Sequence, residues 1–198
     1  MHDPGRPASW DARVRSPNAA EDRNAADHKT TLWRDLTRDI DALLTGEPDA
    51  TANAANAAAA LFHGLPRLNW AGFYFLRDQV LVLGPFQGRP ACVRIALGAG
   101  VCGTAAQQRR SIVVPDVEAF PGHIACDSAS RSELVIPLIH NGEMAGVLDL
   151  DSPDLNRFDA ADQAGAEALV LMLVRHLKAT PTNKCVSTSE KLPSGTKA

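Results

Sequence analysis

Asn141-Gly142 stands between two apolar runs, Leu134–His140 and Met144–Asp151, and no other feature of the sequence constrains the fold as strongly. Both residues tolerate the left-handed backbone that a two-residue hairpin turn demands, so the two runs pair antiparallel. Asn69–Leu76 and Gln79–Leu83 read as a second hairpin across Arg77-Asp78. Ala91–Leu97 and Ser111–Val114 read as further strands, with a short helix over Val101–Gln108 between them. Helices are expected at both ends of the strand region. Leu32, Leu36, Ile40, Leu43 and Leu44 recur at helical spacing after a cap at Thr30 or Thr31, and Gly46-Glu47-Pro48 stops that helix. Asp49–His63 is built largely of Ala, the best helix former, and ends at Gly64. Asp159 caps a last helix that runs through Leu169–Val174 to Lys178. Hairpin-paired strands with helices segregated to the ends predict an α+β fold. Its central sheet is mainly antiparallel and has about six strands, so it is not doubly wound.

The chain of 198 residues is the length of one domain with tails. Residues 1–28 are rich in Pro, Ala, Asp, Asn and Arg without periodicity and read as a disordered extension. Residues 29–178 are the expected domain, and 179–198 read as a flexible tail. Lys plus Arg is 20 against 23 for Asp plus Glu, a net charge of −3, which gives no electrostatic reason to expect nucleic acid. No apolar run approaches the ~20 residues of a membrane span, so no membrane partner is expected. The N-terminus lacks a signal core, and Asp3, Asp11, Glu21 and Asp22 oppose a mitochondrial presequence, so a cytoplasmic location is expected. The four cysteines should then be reduced thiols.

Those cysteines are the chemistry to explain. Cys92 falls in a predicted strand and Cys102 in a Gly-rich turn. Cys126 falls in a loop of about 18 residues from Pro115 to Ser132, and Cys185 in the tail. A loop of that length is more often functional than accidental. His123 lies three residues before Cys126, and a neighbouring imidazole favours the nucleophilic thiolate. Inert packing is the other reading of each thiol, and for Cys92 the better one from its strand alone. His123-x-x-Cys126 with Cys92 and Cys102 has the letters of a zinc site but none of the CxxC pairs such sites use, so no metal and no cofactor is expected. Arg131 is one position too close to Cys126 for a phosphatase loop. Gly98-Ala-Gly-Val-Cys-Gly103 matches a dinucleotide fingerprint, but the helix after it is too short for a crossover, and a tight glycine turn is the preferred reading. Along the first strand, Trp70, Gly72 and Tyr74 share one face and Ala71, Phe73 and Phe75 the other. Gly72 should leave room between the two large rings. Asp149 and Asp151 also share a face, near Glu133 at the mouth of the partner strand. They either line a pocket or form a solvated strand end.

The run from Asn69 to Asp151 resembles the free methionine-(R)-sulfoxide reductases, enzymes built on a GAF domain. The matching stretches are Asn69-Trp-Ala-Gly-Phe-Tyr74, Gly84-Pro-Phe-Gln-Gly88, Ala91-Cys-Val-Arg-Ile95, Gly100-Val-Cys-Gly-Thr104, Gly122-His-Ile-Ala-Cys-Asp127, Ser132-Glu133 and Gly146-Val-Leu-Asp-Leu-Asp-Ser152. The resemblance implies a single GAF-like catalytic domain that reduces free L-methionine-(R)-sulfoxide. Thioredoxin supplies the electrons. It further implies a nucleophile, Cys126, whose sulfenic acid is resolved first by Cys92 and second by Cys102. In the same picture Glu133 is the acid, and Asp149 and Asp151 hold the substrate ammonium or share the proton. Trp70 and Tyr74 enclose the methyl-sulfur end, and backbone amides from Ile124 through Asp127 to Ser128 take the carboxylate. Relatives are often dimers, which leaves a homodimer open. The alternative of a different class is a GAF-type sensor that binds a small ligand without catalysis.

Overall fold

The computed structural model describes residues 19–124 and 128–177, with side chains from residue 26 onward. Two helices, α1 (Ala19–Leu44) and α2 (Ala50–Gly64), lead into strands β1 (Trp70–Arg77), β2 (Val80–Gly88) and β3 (Arg94–Ala96). Helix α3 (Gly100–Gln108), strand β4 (Ile112–Val114), a 3-10 turn at Val117–Ala119, β5 (Ser132–His140), β6 (Glu143–Ser152) and α4 (Ala160–His176) complete the order. The six strands form one sheet in the order β3-β2-β1-β6-β5-β4, and every neighbouring pair is antiparallel. The α+β class and the sheet of six strands are as the hairpin signals predict.

Sequence chemistry explains most of the boundaries. Asn141 and Gly142 take φ of 50° and 80°, and the β5–β6 hairpin turns there. The β1–β2 turn sits one residue later than expected, at Asp78-Gln79, both with positive φ. Asp tolerates that conformation and Gln rarely adopts it, so no glycine marked the place. The carboxylate of Asp49 accepts from Ala52 N and starts α2. Asp159 and Asp162 close a capping box at α4. Strand β2 runs on through Pro85 to Gly88, well past the expected Leu83. A proline is tolerated there because β3 pairs only with Val80–Val82 and leaves the outer edge of β2 at Pro85 without a ladder partner.

Three expectations need correction. Helix α1 is already helical from Ala19, so Thr30 and Thr31 lie inside it and cap nothing, and residues 19–28 are helix. The third strand is only Arg94–Ala96, which leaves Cys92 in the irregular segment after β2. Strand β5 begins at Ser132, so Glu133 belongs to the sheet and is no longer at its mouth. The long loop is pinned at its base, because Val117 N donates to Arg131 O at 3.0 Å and Arg131 N to Ser152 O at 2.7 Å.

The sheet divides the interior in two. On one face Ala71, Phe73, Leu134, Ile136, Leu148 and Leu150 pack under α1, α2 and α4. On the other Trp70, Tyr74, Val135 and Val147 pack with α3. A buried acid ties the outer helices together. Asp162 accepts from Trp33 Nε1 at 3.1 Å, Lys29 Nζ at 2.5 Å, Arg157 Nη1 at 3.0 Å and Asp159 N at 3.2 Å. Replacing it removes the carboxylate that faces the buried Arg157 guanidinium and leaves the Trp33 indole N–H without its acceptor, while Lys29 keeps Asp159. Asp162→Ala is therefore expected to lose about 3–5 kcal/mol of stability. Urea unfolding at constant m-value measures this, and a loss below ~1 kcal/mol would show that Arg157 finds water instead.

Candidate active site

The register of the three central strands assembles the acids. Across the ladders Trp70 faces Asp151 and Asp151 faces Glu133. One row along, Gly72 faces Asp149 and Asp149 faces Val135. Residues directly opposite share a face, and so do residues two apart. Glu133, Asp149 and Asp151 therefore project from one side of the sheet, next to Tyr74. All three are buried, at 6%, 7% and 9% exposure, which removes the reading of a solvated strand end.

Helix α3 lies across this face and sets its N-terminus over the acids. It places Cys102 Sγ 3.9 Å from Glu133 Oε1. Gly103 is required for that approach, because a Cβ there would come within 2.2 Å of Ala96 O. This contact, together with the bond from Gly98 N to Gly103 O at 2.8 Å, accounts for the glycine pattern. It builds a tight β3–α3 corner in an antiparallel sheet, not a dinucleotide loop. Ala99 at the helix N-cap offers no side chain to the first-turn amides. They are left for whatever enters.

A cleft opens between α3, the sheet and the loop that carries His123, Ile124 and Ser130. Tyr74, Ile95 and Val101 form its apolar wall, and Cys102, Glu133, Asp149 and Asp151 its acidic wall. None of the described lining residues is Lys or Arg. His123 Nε2 lies 3.8 Å from Glu133 Oε2. Burial lowers the pKa of His123 and favours the neutral imidazole.

Burial dominates the electrostatics here. Desolvation, then the charges of Asp149 and Asp151, push Glu133 well above the usual carboxyl range. Desolvation raises Asp149 to about 7, against hydrogen bonds from Cys102, Glu133 and the backbone of Leu150 that pull it down. The Cys102 thiol is pushed well up, by burial first and then by the neighbouring acids. Near neutral pH the cluster holds protons, and Cys102 is a thiol.

The structure thus brings Cys102, Glu133, Asp149, Asp151, Tyr74 and Ile124 to one cleft. Trp70 is not among its lining residues. Its ring stacks at 5.9 Å on Tyr74 and 5.4 Å on Phe86, and its Nε1 donates to Arg89 O. The space expected beside Gly72 is filled, since a Cβ there would meet Phe86 at 2.4 Å and Trp70 at 2.6 Å. Trp70 therefore backs Tyr74. Cys92 is half-buried and packs against the α3-side core. Cys126, Asp127 and Cys185 lie outside the described residues. Sequence reading missed Phe86 as the stacking partner and Ile95 and Ser130 as lining residues. For Phe86 the signal was the alternation that carries β2 past Pro85. For Ser130 it was Asn69, whose Nδ2 donates to Ser130 Oγ across the sheet end.

An antiparallel sheet of six strands in this order, with helices from both ends of the chain on one face and a ligand-sized cleft on the other, defines a GAF domain. The GAF domain pattern matches residues 45–171. The chain is 48% identical over 157 residues to the free methionine-R-sulfoxide reductase of Escherichia coli, covering 79% of this chain and 95% of that protein. It is 40% identical over 154 residues to the enzyme of that name from Saccharomyces cerevisiae, covering 74% and 86%. The structure of free methionine-R-sulfoxide reductase from Neisseria meningitidis in complex with its substrate superposes with a TM-score of 0.73 at 43% identity, covering 75% and 90%. The chain belongs to the GAF-domain family of free methionine-R-sulfoxide reductases.

The raised Asp149 has a consequence for stability. Between the ordinary carboxyl pKa of 3.8 and about 7 the folded protein holds a proton that the unfolded chain has released. Stability from this site is full below that window and is lost as pH rises through it. Asp149→Asn should therefore flatten the fall in thermal midpoint between pH 4.5 and 7.5. An equally steep fall in the variant would assign the proton elsewhere.

Proposed function

We propose that this chain reduces free L-methionine-(R)-sulfoxide to methionine, with Cys126 as nucleophile and Glu133 as proton donor. The observation that carries the reading is a buried carboxyl, with burial and nearby acids favouring its protonated form, in a cleft that also offers an apolar wall and a helix N-terminus. Reduction of a sulfoxide needs a thiolate on sulfur and a proton on the departing oxygen. Cys126 attacks the sulfoxide sulfur while Glu133 delivers its proton to oxygen. As the sulfur–sulfur bond forms, the oxygen takes a second proton and leaves as water; water then attacks the Cys126 sulfur, breaks that bond and returns one proton, giving the sulfenic acid and methionine. A second thiol condenses with the sulfenic acid, forming a disulfide and releasing water. A dithiol reductant of the thioredoxin type then restores both thiols by exchange. Two electrons and two protons are consumed for each methionine and water formed.

Cys102 is poorly suited to be the nucleophile, because its burial among acids keeps it protonated. Cys126 follows Ile124, which lines the cleft, by two residues, and two residues of chain span at most about 7 Å. Cys92 and Cys102 remain the two candidate resolving thiols, Cys92 first. At the acidic wall, Asp151 and Asp149 suit the substrate ammonium. The first-turn amides of α3, with that of Ile124, suit its carboxylate. Tyr74, backed by Trp70, suits the methylthio end. A peptide-bound residue carries neither charged end, so selection for the free amino acid follows from the same geometry.

Pre-reduced protein mixed with one isomer and no other reductant tests this. About one methionine per chain is expected from the R isomer alone, with loss of two thiols. Cys126→Ser should release none. Glu133→Gln should lower the single-turnover rate by a factor of about 10²–10⁴ with little change in binding. An unchanged rate in Glu133→Gln removes it as the acid. Binding of both isomers without methionine release would make the protein a sensor.

A further inference from the structure

We infer that Cys102, Glu133 and Asp149, with His123, form a binding site for a divalent cation of the zinc type, at which the metal excludes substrate. The ligand atoms of Cys102, Glu133 and Asp149 all lie within 4.8 Å of one another, and all three residues are buried. The 3.9 Å from Cys102 Sγ to Glu133 Oε1 approaches the ~3.6 Å edge of a tetrahedron built on zinc bond lengths of about 2.3 Å to sulfur and 2.0–2.2 Å to oxygen. The imidazole of His123 stands 3.8 Å from the other oxygen of Glu133 but outside that 4.8 Å group, so it must move toward the other three to supply a fourth ligand. Sulfur, nitrogen and two carboxylate oxygens are a zinc set, not a calcium or magnesium one.

A second observation is independent of this proximity. Asp149 Oδ1 is fully buried and has no hydrogen-bond partner among the described residues. Asp149 is 93% buried by its 7% exposure and points into the cleft it lines. A buried carboxyl oxygen left without a partner keeps its desolvation penalty uncompensated. A cation would satisfy it where no Lys or Arg among the described lining residues can. This is not the cysteine-rich set that the sequence spacing excluded, since it uses one thiol and two acids from β5 and β6.

The site itself does not depend on the reductase reading. Its consequence does, because a metal on Glu133 and Asp149 removes the acid and fills the cleft. The test is a titration of the reduced, full-length chain with Co²⁺ under anaerobic conditions. One Co²⁺ per chain is expected, with a thiolate-to-cobalt charge-transfer absorption that Zn²⁺ displaces. Cys102→Ser should lose that absorption, Cys92→Ser and Cys126→Ser should keep it, and Asp149→Asn should weaken binding at least tenfold. X-ray absorption on the zinc form of the unaltered protein needs no variant and should show one sulfur ligand. No charge-transfer band with all thiols reduced would overturn the site. So would two sulfur ligands, or loss of the band in Cys126→Ser with retention in Cys102→Ser. Methionine release from a chain that binds no cobalt defeats this inference alone. Cobalt binding by a chain that releases no methionine defeats the reductase reading and leaves the metal site standing.

Discussion

The row Trp70–Asp151–Glu133, with Gly72–Asp149–Val135 beside it, is the constraint on which the rest of the molecule depends. Three carboxyls in the middle of a six-stranded sheet are costly to bury, and nothing in the cleft's described lining compensates them with a cation. The molecule accommodates them in two ways. Their proton affinities rise, so that fewer charges are buried at neutral pH. The opposite face of the same strands is mainly apolar and closed by three helices. Strand alternation makes this division possible, since Leu134, Leu148 and Leu150 anchor the backbone that presents Glu133, Asp149 and Asp151.

The hairpins, the strand faces and the helix cap at Asp159 were legible in the sequence because each is a local property. Asn141-Gly142 fixes one turn, a period of two fixes a face, and an Asp before an Ala run fixes a cap. What was not legible depended on packing. The start of α1 lies in a segment whose composition reads as disordered. Cys92 looked like a strand residue until β3 shortened to Arg94–Ala96. Gly72 promised a gap that the Trp70 ring and Phe86 fill. For Cys92 and Gly72 the local pattern was compatible with two outcomes, and contacts from distant segments chose between them.

The candidate site divides in the same way. Asp149 and Asp151 could be placed on one face from spacing alone, and Glu133 could be placed near them from the hairpin. Cys102 could not, because its approach to Glu133 depends on how α3 crosses the sheet. That crossing is set by the close fit of Gly103 against the Ala96 carbonyl, which no periodicity reports. The consequence is chemical. A cysteine read as an ordinary thiol in a glycine turn becomes one whose environment withholds the thiolate.

This environment also explains why one cleft can serve proton transfer and still be vulnerable to a metal. A donor acid for sulfoxide reduction must keep its proton at neutral pH, which calls for burial and nearby negative charge. Burial and negative charge without a built-in cation are also what a divalent metal seeks. Adding a Lys or Arg to the lining would remove that attraction. It would also pull Glu133 back toward the ordinary carboxyl range, where it would no longer hold the proton that the proposed reaction needs. A catalytic acid of this kind and a latent cation site are therefore coupled by the same electrostatics, and neither can be tuned away without the other.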